Sequence, residues 1–268
     1  MLIRVFCIIS VFILSSTNLL AGPYTEIANV LLLIKNTDTS VPDGEKFGEI
    51  DLARFSEMLE RLGAFHIEYG YSPTTHPMWK SVQQAALTKQ KSIKPLISHK
   101  EHYISDSAAF IDCALTFLSG KPKVAHHMLS KLRPHGWCGN WYATVFMAVT
   151  RFKSLLYQLE GRNIAALGCI HLVFHSNMES LHKPAWDLLM FRCAHLSAIT
   201  AQSRCFRPIS YWLVSMLYPK TRGGDLAMKF TLKHNPETPK PTLEDYKSLL
   251  IDRMHIRRRQ AELIEALV

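Results

Sequence analysis

Between Ile104 and Tyr218 lie four runs whose apolar residues wrap most of a helical circumference instead of one stripe: Ser107 to Leu118, Trp141 to Leu159, Ile164 to Phe174 and Ala185 to Ile199. A helix of that kind has no broad face to give to water, so the four are expected to bury against one another. The links between them are short, which favours antiparallel neighbours. The expected fold is all-α, a multi-helix bundle or an irregular helical-hairpin array. No internal repeat of fixed period appears, which argues against a regular solenoid.

The rest of the chain reads as attachments to that core at 101–218. In a section spanning 22–100, Ile27, Val30, Leu31 and Ile34 fall at helical spacing over Tyr24 to Lys35. A second helix is predicted from Ile50 to Leu62, stopped by Gly63. Phe65, Ile67, Tyr69 and Tyr71 then alternate with small or polar residues, which predicts one short extended segment near 65–71 or an aromatic loop. Helix resumes from Met78 to Lys89, and Lys91 to Lys100 forms a basic connector broken at Pro95. Ser105 or Asp106 is placed to cap the first core helix, and Gly120 and Gly161 to punctuate the core. Beyond it come a Gly- and Pro-containing linker at 219–241, with a short helix over Asp225 to Leu232, and a basic amphipathic helix at 242–268.

The first 21 residues have the three-part form of a secretory signal peptide. Met1 to Arg4 are positive, Val5 to Leu14 are apolar but for Ser10, and Ser15 to Ala21 end in a small residue before Gly22. The apolar run is short against the roughly 20 residues of a spanning helix. Cleavage after Ala21 and a secreted or periplasmic destination are expected; an uncleaved anchor, prolonged by Leu19 and Leu20, and an ordinary buried helix are the alternatives. A membrane is a partner only if that segment stays as an anchor.

Of six cysteines, none shows CxxC or knuckle spacing. Cys113, Cys169 and Cys193 sit in apolar helical runs and read as small hydrophobes, while Cys138 and Cys205 are the better disulfide candidates in an oxidising compartment. With 48% hydrophobic and 20% charged residues, the chain has enough apolar surface to fold. A net charge of +9 favours an acidic partner.

For chemistry, His171, His175 and Glu179 are spaced by four, so on a continuing helix they stack a turn apart, as two imidazoles sharing zinc or another divalent metal must. The glutamate of an HExxH motif is absent, and further ligands would have to come from His126, His127 or His195. The competing reading is that these histidines are structural. His102 with Asp106, and Cys138 with His135, have simpler explanations as a cap and as turn packing. Arg253, Arg257, Arg258 and Arg259 form a cationic stripe for an acidic surface, although Asp252, Glu262 and Glu265 nearby also fit a solvated face. Neither a Walker loop, a GxSxG elbow nor a dinucleotide glycine pattern occurs.

Two functions follow. The first is an exported all-helical binding or scaffold protein whose partner is a protein with an acidic surface, an exported chain rarely meeting nucleic acid. The second is a metal-dependent hydrolase with a His-rich site between core helices.

Overall fold

The computed structural model describes residues 22–39, 48–132, 140–175, 185–200, 211, 214–215, 218 and 220–234. Among them are nine α-helices and no strand: α1 (Pro23–Asn36), α2 (Gly48–Tyr69), α3 (Trp79–Ile93), α4 (His102–Leu118), α5 (Pro122–Lys131), α6 (Asn140–Leu159), α7 (Asn163–His175), α8 (Trp186–Thr200) and α9 (Arg222–His234). Short 3-10 helices at Pro73–Thr75 and Lys94–Ser98 join α2 to α3 and α3 to α4. No helix of the described residues is long and apolar enough to cross a membrane.

Helix α4 is the axis of the packing. It touches α2, α3, α5 and α6, and from Phe110 to Leu118 every residue is buried. Phe110 and Phe117 set their rings edge-on to Phe152 of α6 at 6.0 and 5.7 Å, and Trp79 of α3 meets Phe117 at 6.4 Å. A buried side chain of this size contributes about 1.5–3 kcal/mol over leaving it in water. Asp106, Asp112 and Thr116 of α4 are paired across helices, while the Ser105 hydroxyl donates to the His102 carbonyl of its own helix. Gln90 of α3 donates to Asp112 at 3.0 Å and Thr116 at 2.7 Å, and the Trp141 indole donates to Asp106 at 3.1 Å. Asp106 is therefore an interior hydrogen-bond acceptor of α4 and not its cap; the helix begins at His102, and Glu101 holds the capping position without a side-chain bond.

Both α4 and α6 end in the same closure. Gly120 and Gly161 take φ of +91° and +74°, and the next residues donate back five positions, Lys121 to the Thr116 carbonyl and Arg162 to that of Tyr157. This satisfies the orphan carbonyls of the last turn.

Two features of α2 correct the sequence reading. The helix runs through Gly63 and ends only at Tyr69, where Gly70 takes φ +74°. The alternation from Phe65 to Tyr71 is not an extended segment. Phe65 packs into the main core with α3, α4 and α6, whereas Ala64 and Ile67 pack into a second core with Leu188, Phe191, Tyr211 and Phe230. A helix buried on two sides places apolar residues at neighbouring and alternate positions, which imitates the period of a strand.

Gly63 has a different task. A Cβ there would lie 2.7 Å from Cδ of Arg192, a residue of α8 that is wholly buried. Its guanidinium donates to Glu60 Oε2 at 2.6 Å, Gln158 Oε1 at 2.9 Å and Ser154 Oγ at 3.1 Å. Arg151 donates to the other Glu60 oxygen at 2.9 Å, and Gln158 donates to the Gly63 carbonyl at 3.0 Å. This knot ties α2, α6 and α8 together without access to water.

Of the four apolar runs, those forming α4, α6 and α8 are largely buried. Helix α7 differs. Ala166, Ile170 and Val173 face α6 and α8, while Ile164 is 80% and Leu172 50% exposed.

Asp51, on α2, is buried, with the Arg54 guanidinium 3.7 Å from its carboxylate. Burial pushes its carboxyl up to about 6 from 3.8; Arg54 offsets part of this, and Asp38 adds to it. Between those values the folded chain keeps a proton that the unfolded chain has lost, so this group makes stability fall as pH rises across that window. Asp51→Asn is expected to stabilise the protein by about 2 kcal/mol at neutral pH and to change nothing below about pH 4. Urea unfolding at the two pH values measures the difference.

Candidate functional site

Helix α1 offers a different stripe to each of two neighbours. Glu26, Asn29, Val30 and Leu33 turn toward α2, and Leu31, Ile34 and Lys35 toward α3. The sequence sets α1 up for this: Pro23 opens it, Glu26 sits in the first turn and Lys35 in the last, each matching the helix dipole. At its end Thr37 donates from its backbone and its hydroxyl to the Leu33 carbonyl, at 3.0 and 2.8 Å. Lys89 of α3 then crosses to donate to the Thr37 carbonyl at 2.6 Å.

Between α1 and α3 lies an open trough of about 500 Å³. Leu31, Ile34 and Ala85 give it an apolar lining, Ser81, Gln84 and Thr88 line α3's side, and Lys35 and Lys89 stand on its edges. From Ser81 to Lys89 it follows α3 for about 12 Å, roughly two helical turns. Beside it Lys80, Gln84, Leu87 and Lys91 make a second, exposed stripe along α3.

The charge here is one-sided. From Tyr69 to Lys100 the chain holds five lysines and no Asp or Glu. Among the described residues the ion pairs involve other side chains, and none joins Lys35, Lys80, Lys89 or Lys91 to a carboxylate, while Lys94 acts on the Asp112 carboxyl of α4. Lys89 caps α1, a structural duty that leaves its positive charge in place. Reading the segment helix by helix hides this surface; a running count of acidic residues reveals it.

The residues singled out in the sequence fall elsewhere. His171 is exposed on α7, and His175 is the last residue of that helix. Glu179 lies outside the described residues, as do Arg253, Arg257, Arg258 and Arg259, the segment 1–21 expected to be a signal peptide, Cys138 and Cys205. Of the other histidines considered as ligands, His195 shares a 2.7 Å hydrogen bond with the Tyr211 hydroxyl, and His126 packs edge-on to Tyr157 at 4.9 Å. Among the described residues no three His, Cys, Asp or Glu side chains gather where they could hold a metal ion. Cys113 and Cys169 are free thiols, and burial pushes Cys113 up to about 12, which leaves it protonated and unreactive. The chain matches no protein-family model, no curated protein and no solved structure.

Proposed function

We propose that this is an exported all-helical binding protein that takes an acidic, amphipathic helical segment of a partner protein into the trough between α1 and α3. The observation that carries this reading is the pairing of an apolar lining, Leu31, Ile34 and Ala85, with a lysine-bearing surface that has no acidic residue along 69–100. A helix laid in a groove binds through apolar anchors at helical spacing, and the charges at the rim set orientation and speed of encounter. Export rests on the leader-like form of Met1 to Ala21.

The test is titration of the purified protein with a synthetic amphipathic helix of leucine and glutamate, at low and at high salt. Binding should weaken strongly as salt rises, since exposed charges separated by more than about 10 Å are screened at 0.1 M. Lys35→Glu with Lys91→Glu, which leaves the Lys89 cap intact, is expected to reduce affinity about tenfold or more. Equal affinity in both salts and in the double variant would remove the reading.

A further inference from the structure

Where α1 meets α2 and α9, a buried acid is poorly served by its neighbours. Glu26, in the first turn of α1, is 7% exposed, and its Oε2 atom is buried with no hydrogen-bond partner. The two guanidinium groups beside it are committed to other acids. Arg61 of α2 stands 3.9 Å from Oε2 and donates to Glu57 at 2.9 and 3.0 Å. Nη2 of Arg222, at the start of α9, stands 3.7 Å from Glu26 Oε1 but donates to Glu68 Oε2 at 2.6 Å. Lys229 adds a contact to Glu68 at 3.3 Å, from a side chain that is 61% exposed and therefore well screened.

Three carboxylates, Glu26, Glu57 and Glu68, thus share two guanidinium groups and one solvated lysine. The other titratable groups near by are Tyr69 of α2, which hydrogen-bonds Arg222, and His76, in the link between α2 and α3. The His76 ring meets Tyr24 of α1 at 4.5 Å, and its Nδ1 accepts from the Met78 amide at 3.2 Å. Burial pushes the Glu26 carboxyl up from its ordinary 4.5; Arg61 and Arg222 offset part of this, and Glu68 and Glu57 add to it. That outcome stands against the first turn of a helix, which by itself favours the charged form. A charged carboxylate held this way is relieved by taking up a proton or by reaching water.

We infer that the first turns of α1 form a pH-sensitive latch, closed on α2 and α9 while Glu26 holds a proton and open more often once it is ionised. The closed form binds the proton more tightly than the open, hydrated form. Closure is therefore favoured in acid and weakens as pH rises through the range above 4.5. Ile27 and Val30, both buried, keep the open form a minority. Helix α1 also carries one wall of the trough, but the latch is read on α1 itself, with no peptide present, so it stands or falls apart from the binding reading.

Hydrogen exchange of the full chain at about pH 5 and about pH 8, corrected for the intrinsic rate of each amide, tests the latch. In wild type, protection from Ile27 to Leu31 should fall several-fold at the higher pH relative to the amides of α4, which report the main core. Glu26→Gln should remove that fall, and because it keeps Asp51 and His76, what it removes belongs to Glu26. Glu57→Gln, at a half-exposed position, frees Arg61 to pair with Glu26 and should shrink the fall even if Glu26→Gln does not fold. Equal relative protection of α1 at both pH values in wild type, the same fall in Glu26→Gln, or an undiminished fall in Glu57→Gln would each overturn the latch.

Discussion

Glu60→Ala is expected to lower the unfolding free energy by about 3–5 kcal/mol, the range found when one partner of a buried ion pair is removed and the other charge is left behind. Here two charges are left. Arg192 is wholly buried and Arg151 nearly so, and Glu60 takes a hydrogen bond from each. Arg192 would keep Gln158 and Ser154 as acceptors but lose its counter-charge. Burial by itself would push the Glu60 carboxyl up, yet the guanidinium groups of Arg192 and Arg151 outweigh it and hold it below its ordinary 4.5. The contribution is therefore fully present above about pH 4.5 and is lost as pH falls through the folded-state value. Urea unfolding of wild type and Glu60→Ala should show a gap that is wide at neutral pH and narrows in acid; a loss below about 1 kcal/mol would mean that the knot is loosely packed or wet.

Gly63→Ala should go against the ordinary rule for helices. In the middle of a helix, glycine is less favourable than alanine by about 0.8–1.0 kcal/mol, so propensity alone predicts a gain. The new methyl would instead press on Arg192, 2.7 Å from Cδ and 2.9 Å from Cζ. Arg192 has no solvent to retreat into. Overpacking costs about 1–3 kcal/mol, and strain on the hydrogen bonds to Glu60 and Gln158 adds to it, so a net loss of about 2–4 kcal/mol is expected. Thermal and urea unfolding measure it, and a stabilised variant would contradict the close approach of α2 and α8.

These two residues also show what the sequence can and cannot yield. The core helices were legible because their apolar residues leave no polar face: α4, α6 and α8 follow from composition along the chain, and Gly120 and Gly161 close their helices as glycines commonly do. Gly63 carries the same letter with a different cause. Its neighbour Arg192 is distant in sequence, so a close approach reads as a helix stop. Phe65 and Ile67 mislead for a related reason, since each belongs to a different core. Arg151 and Arg192 sit inside apolar runs, and nothing local says that Glu60 waits for both. Helix α7 looked buried all round, yet Ile164 and Leu172 reach solvent, because periodicity cannot count the neighbours a helix will have. For the candidate site, α1 and α3 were largely legible as helices, α3 extending past Lys89 to Ile93, but their pairing through Lys89 and Thr37 was not.

The trough between α1 and α3 is tested most directly by nuclear magnetic resonance titration of the acidic amphipathic helix into isotope-labelled protein. Shifts are expected at Leu31, Lys35, Gln84, Ala85 and Thr88 and along Lys80 to Lys91, and they should fade in high salt. Shifts centred elsewhere, or a spectrum that the peptide leaves unchanged, would contradict the claim that this surface is where the protein meets its partner.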